Sequence, residues 1–141
     1  MKTTLKFQLV LIVLALFPLA NVASAQGVSV AAKGEFQFEA TEIDYGTIEK
    51  DSDGTRTFSF TNVGSVPIVI TDIKSSCGCT VPTKPKGPIM PGQTAEIGVK
   101  YKTNKVGAFT KSITVLSNAN ESKKILKIRG IVVDSKNKLG E

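Results

Sequence analysis

An all-β chain, folded as an immunoglobulin-like two-sheet antiparallel β-sandwich of about seven strands, is what this sequence predicts. Three observations carry that prediction. Apolar and polar residues alternate with period two in several short runs. Turn residues separate those runs at intervals of roughly 8–12 residues. No stretch repeats apolar residues at helical spacing over a usable length. About 100 residues of this kind bury their apolar faces by packing two sheets around one core.

The first residues read as an address. Met1–Ala25 has the layout of a secretory signal peptide. Lys2 and Lys6 supply the positive start, and Leu9 to Ala20 is an apolar run too short to cross a bilayer. Ala23-Ser24-Ala25 is a small-x-small cleavage site. Cleavage there takes 25 of the 141 residues and leaves 116, enough for one domain with a core. The expected layout is a signal peptide over 1–25, a flexible lead-in over 26–34, the sandwich over 35–133 and a polar tail over 134–141. The expected destination is periplasmic or extracellular, with no membrane span after cleavage.

The strands follow in order. Glu35–Ala40 alternates, and Ile43–Ile48 continues it with a kink at Gly46, where glycine in a strand pattern marks a bulge. Glu49–Gly54 is a charged turn. Thr55–Asn62 is the cleanest strand, with Phe58 and Phe60 on one face. After the turn at Asn62–Ser65, Val66–Ile73 is nearly continuous in apolar residues, which predicts burial on both faces or a sheet centre. Pro82 to Pro91 carries prolines at 82, 85, 88 and 91 and reads as an extended crossing connection, never a central strand. Pro91-Gly92 suits the second and third positions of a turn. Thr94–Tyr101, Phe109–Ser117 and Lys123–Val133 complete the set, with polar loops between them; Lys111 interrupts the apolar face of Phe109, Ile113 and Val115. The expected core is Phe36, Phe38, Phe58, Phe60, Ile97, Val99, Ile113, Val115 and Leu126, with Met90 as a filler.

The inventory excludes much chemistry. There is no histidine, which removes Ser-His and Cys-His dyads and the usual imidazole zinc ligands. No phosphate-binding glycine loop and no HExxH motif is present. Glu49, Asp51 and Asp53 lack calcium-loop spacing and read as a solvated turn. Asp44 reads as a structural hydrogen-bonding residue. The formal charge of +6 becomes +4 after cleavage, and the basic residues are scattered lysines with only Arg56 and Arg129 as arginines. Nucleic acid is therefore not an expected partner. No cofactor is expected.

Ser75–Thr80 holds the only two cysteines, Cys77 and Cys79. In an oxidising compartment two cysteines normally pair. In an extended strand, however, positions i and i+2 lie about 6.5–7 Å apart and point to opposite faces. A bridge requires the chain to bend, and Gly78 is the expected hinge. The loop so closed is minimal, so the entropic gain is small. Four readings stay open: structural thiols or a bridge in a β-corner, a redox-active dithiol, a soft-metal site such as two-coordinate Cu(I), and intermolecular pairing. Gly78 and Thr80 supply supporting backbone. The Lys84/Lys86 proline loop and a sheet edge open to strand addition are the candidate partner surfaces.

The run Phe58-Ser59-Phe60-Thr61-Asn62-Val63-Gly64, then Pro67-Ile68-Val69-Ile70, Ser76-Cys77-Gly78-Cys79-Thr80, Pro91-Gly92, Gly107-Ala108-Phe109 and Ser117-Asn118 resembles the bacterial domain of unknown function 1573. The resemblance covers about Phe38 to Val133. It implies an immunoglobulin-type fold like Hydin and major-sperm-protein modules, and an exported protein of the Bacteroidetes type. It carries no catalytic residues. Related modules mostly bind or scaffold, which makes a non-enzymatic envelope module binding a protein or envelope partner the expected function. The alternative is a thiol-disulfide or Cu(I)-handling protein using Cys77 and Cys79, and a redox-active dithiol is the only enzymatic option kept.

Overall fold

The computed structural model describes residues 31–136. The expected signal peptide over 1–25 lies outside the described residues, as do 26–30 of the lead-in and 137–141 of the tail. Eight strands form: β1 (Phe36–Phe38), β2 (Glu42–Glu49), β3 (Thr55–Asn62), β4 (Ile70–Ser75), β5 (Thr80–Thr83), β6 (Thr94–Tyr101), β7 (Gly107–Ser117) and β8 (Lys123–Val133). They make two four-stranded sheets, ordered β1-β3-β6-β5 and β2-β8-β7-β4. All pairs are antiparallel except β2 with β8, which run parallel. The parallel pair arises because the chain leaves the first sheet after β1 and crosses to lie beside the last strand. No helix among the described residues is long and apolar enough to cross a membrane.

The core follows the alternation. Phe58, Phe60, Ile97, Val99, Ile113, Val115 and Leu126 are buried as their period-two positions require. Phe36 and Phe38 are half-buried and pack on Phe60, Phe36 edge-on at 5.1 Å and Phe38 tilted at 5.2 Å between ring centroids. Ile68, Ile89, Ile128 and Val132 join them, each contributing about 1.5–3 kcal/mol through burial. At one end of the sandwich Tyr101 stacks on Phe109 with centroids 3.8 Å apart, Tyr45 meets Phe109 edge-on at 5.4 Å, and Arg56 lies 4.5 Å over the Tyr45 ring.

The apolar run Val66–Ile73 is not a sheet centre. Only Ile70–Ser75 is strand, and it is an outer one. The run is apolar because the chain crosses the gap between the sheets there. Ile68 and Ile70 plug the core, Ile68 bridges Ile89 through paired backbone bonds of 2.9 and 2.8 Å, and Val69 is 41% exposed. Met90 is likewise no filler: it is 54% exposed at the tip of a turn. That turn is as expected, with Gly92 at φ 79° and Gln93 N–H donating to the Met90 carbonyl at 2.9 Å. The crossing segment begins with a short strand, β5, that includes Pro82; it is a sheet edge, where proline is tolerated. The kink at Gly46 is a bulge, with φ 63° and a register shift between Asp44 and Thr47. The residues flanking the first and last strands bond back to the sandwich. Lys33 and Gly34 carbonyls accept bonds from Ser65 and Asn120, and Asp134 pairs with Lys50 while Ser135 bonds Glu49.

The four outer strands share one property. β1 has three residues, and β5 has four and a proline. β2 is bulged at Gly46. β4 shifts register between Ile70 and Asp72, and Lys84 Nζ donates to the Thr71 carbonyl at 3.1 Å. Shortness, proline, bulges and a lysine laid on the edge each discourage another strand from pairing.

Candidate functional site

Cys77-Gly78-Cys79 forms the turn between β4 and β5, where the chain passes from one sheet to the other. Its position is fixed from several sides. Ser76 N–H donates to the Ser112 carbonyl at 2.9 Å, and Ser112 N–H returns a bond to Ser76 Oγ at 3.1 Å. Ser75 Oγ donates to the Cys77 carbonyl at 2.5 Å and accepts from Cys77 N–H at 3.2 Å. Thr80 N–H closes the turn on the Cys77 carbonyl at 3.3 Å, and Lys102 N–H bonds the Cys79 carbonyl at 2.8 Å.

Cys77 and Cys79 are joined by a disulfide, with Cα atoms 5.3 Å apart. In this form neither sulfur is a thiolate, the species that soft metals require. The bend does not depend on glycine as expected. Gly78 is not among the residues with positive φ, and a Cβ built on it meets nothing within 4 Å. An ordinary turn brings the cysteines together, and Gly78 simply leaves the outer side of the turn open.

Thr80 contributes more than backbone. It is only 3% exposed, and its Oγ1 lies 3.8 Å from Cys77 Sγ and 4.0 Å from Cys79 Sγ. A bridged sulfur has no proton, so the hydroxyl's single proton is donated to one sulfur or shared between the two.

Beside the turn lies an open groove of about 460 Å³, lined by Cys77, Gly78, Cys79, Tyr101, Lys102, Asn104, Lys105 and Lys111. It holds three lysines and no carboxylate among its described lining residues. Sequence reasoning did not assemble this groove. One signal for it was present. Lys111 breaks the inward alternation of Phe109 and Ile113, and it does so because that position faces the end of the sandwich, not its centre. Lys102 and Lys105 come from the β6–β7 loop, which looked only polar.

Lys84 and Lys86 lie elsewhere, around a smaller hollow of about 280 Å³ with Val69, Ile70 and Pro85 to Pro88. Lys84 is engaged with the Thr71 carbonyl. Two carboxylates of the charged turn are also engaged: Glu49 accepts from Ser135, and Asp53 Oδ1 accepts from Thr55 N–H at 3.0 Å. Those Thr55 hydrogen bonds hold the Asp53 carboxyl below its ordinary pKa. Asp44 takes the structural role expected of it, accepting from Gly46 N–H at 2.8 Å and pairing with Arg129 at 3.1 Å. Among the described residues no three His, Cys, Asp or Glu side chains gather as a metal-binding group.

Residues 36–132 match the model of the family described as protein of unknown function DUF1573. No curated protein matches the chain. Among solved structures, a protein of unknown function from Porphyromonas gingivalis superposes with TM-score 0.64 at 13% identity, over 77% of this chain and 51% of that one. This chain thus spans about half the length of that relative. The ASH/PapD-like domain 7 of human CEP192 gives TM-score 0.60 at 8% identity, over 73% and 88% of the two chains. A chaperone–tip adhesion subunit pre-assembly complex of Csu pili from Acinetobacter baumannii gives TM-score 0.52 at 11% identity, over 70% and 57%. At these identities the likeness establishes the fold: a PapD-like sandwich of immunoglobulin type.

Proposed function

The chain belongs to the DUF1573 family, and from that premise we propose that it is an exported, non-enzymatic binding module of the cell envelope that takes an acidic segment of a protein partner. The observation that carries this reading is the groove beside Cys77–Cys79, where Lys102, Lys105 and Lys111 converge with no lining carboxylate. Three like charges on one concave surface create a positive potential that attracts and orients an acidic chain. The guarded sheet edges favour a groove over strand addition as the docking mode. The fold is compatible with such a role, since one structure it resembles is a chaperone held with an adhesion subunit.

The test is titration of the purified chain, residues 26–141, with a fluorescent glutamate-rich peptide and a lysine-rich control. The glutamate-rich peptide should bind with an affinity that falls steeply between low and physiological salt. The triple variant Lys102→Ala/Lys105→Ala/Lys111→Ala should lose at least tenfold in affinity. Equal binding by the triple variant would sink the proposal.

A further inference from the structure

We propose that the Cys77–Cys79 bridge is an exchangeable disulfide that accepts an electron pair from a dithiol carried on an acidic peptide, with the Thr80 hydroxyl receiving the displaced thiolate. The proposal rests on the binding reading above for its choice of substrate and on the bridge itself for its chemistry, and it replaces that reading's non-enzymatic character with a dithiol-oxidising one.

Three independent features converge. The bridge closes the shortest useful loop, so as a staple it removes little disorder from the unfolded chain. It is half-exposed on the wall of a groove, and the outer side of its turn is open at Gly78. Behind it, a nearly fully buried hydroxyl has both sulfurs within reach and, among the described residues, no other side-chain partner. A hydroxyl placed there gains little from two uncharged sulfurs. It gains much from a thiolate, because hydrogen bonds to ionised acceptors are roughly twice as strong.

The exchange balances as follows. One substrate thiolate attacks either Cys77 Sγ or Cys79 Sγ. A new S–S bond forms between substrate and protein while the Cys77–Cys79 bond breaks. The displaced sulfur leaves as a thiolate, accepts the Thr80 O–H bond and then takes a proton from water. Since Thr80 Oγ1 reaches both sulfurs, it serves whichever one is displaced. The second substrate thiolate attacks the mixed disulfide and releases the second cysteine. The substrate dithiol is oxidised to a disulfide by two electrons, and the bridge is reduced to two thiols. Lys102, Lys105 and Lys111 raise the local concentration of acidic substrate at the bridge.

The experiment follows reduction of the folded chain by alkylation and intact mass, using three probes: dithiothreitol, an acidic Cys-x-x-Cys peptide and a lysine-rich one. At low salt the acidic peptide should reduce the bridge at least tenfold faster than the basic peptide. The triple lysine variant should bring that ratio near one. Thr80→Val should slow all three probes at least fivefold, and Thr80→Ser should restore them. Because Thr80 is buried, a second readout needs no substitution there. In the reduced wild-type chain, the more reactive thiol should alkylate with a midpoint below the ordinary cysteine value of about 8.5.

An acidic-to-basic ratio near one in the wild type overturns the proposal. So does an alkylation midpoint at or above the ordinary value. If the acidic peptide binds the groove but leaves the bridge oxidised, the exchange chemistry fails and the binding reading stands. If dithiothreitol reduces the bridge with the Thr80 dependence but neither peptide binds, the substrate assignment falls together with the binding reading.

Discussion

The side-chain amide of Asn62 donates to the carbonyl of Ile89, 27 residues away in sequence, at 2.9 Å. It also donates to the Val66 carbonyl at 2.8 Å, and its oxygen accepts from Glu35 N–H at 3.2 Å and Gly64 N–H at 3.0 Å. One fully buried side chain thus satisfies four backbone groups from three segments. Asn62→Ala leaves those groups unpaired away from water. The expected cost is about 3–5 kcal/mol, read as a drop in urea midpoint at unchanged slope. A loss below about 1 kcal/mol would show that water replaces the amide.

Two glycines near the candidate site and the Asn62 hub should behave in opposite ways. At Gly64 an added Cβ runs into the Lys33 carbonyl and the Glu35 N–H, both backbone atoms that cannot swing aside. At Gly78 it meets open space at an ordinary φ. Gly64→Ala should destabilise by about 2 kcal/mol or more, while Gly78→Ala should stay within about 0.5 kcal/mol of wild type. Parallel urea titrations decide it. A large loss at Gly78 would overturn the account of the turn given above.

The bridge should matter little to stability. For a loop this short, the chain-entropy estimate is about 1.6 kcal/mol at most. Cys77→Ser/Cys79→Ser should therefore fold, with a melting temperature lowered by several degrees and the same far-ultraviolet spectrum. A variant that fails to fold would identify the disulfide as structural and remove the premise of the exchange proposal.

Alkaline pH should weaken the fold through Tyr45 and Tyr101, the chain's two tyrosines. Burial raises both phenols above their ordinary pKa; at Tyr45 the Arg56 charge pulls partly back and Asp53 pushes further up. The unfolded chain then releases these protons first, near pH ~10. Stability from this source is complete below that value and falls as pH rises through the folded values. Urea midpoints measured from pH 8 to 11 should show the fall, and Tyr45→Phe should make it shallower. On the plateau the same variant should lose about 1 kcal/mol, since Tyr45 O–H donates to the Gly54 carbonyl at 2.8 Å. An identical pH profile for variant and wild type would reject this assignment.

Where local chemistry decides structure, the residues announced it. Phe58 and Phe60 alternate because one face is buried, Gly46 bulges, and Pro91-Gly92 turns with the geometry its two residues allow. Where long-range placement decides, they did not. Val66–Ile73 is apolar because it threads between sheets, a circumstance that the composition of a central strand imitates. Asn62 looked like a turn residue, since its partners are known only once Glu35, Gly64, Val66 and Ile89 are assembled around it. The groove is built from β4–β5, β6–β7 and β7 together, and only the misfit of Lys111 in its alternation hinted at it. Thr80 was visible as part of a motif, but its hydroxyl's aim at two sulfurs belongs to the folded turn alone.

The interrupted outer strands carry a consequence for crowding. Fibrous growth spreads when one molecule's unpaired backbone templates the next, and the resulting ladder is hard to undo. With the rims of both sheets shortened, kinked or covered, neighbouring copies meet through side chains instead. Such encounters respond to salt and dilution, so dense packing stays reversible. Many copies can then be held at close quarters without fusing into one another.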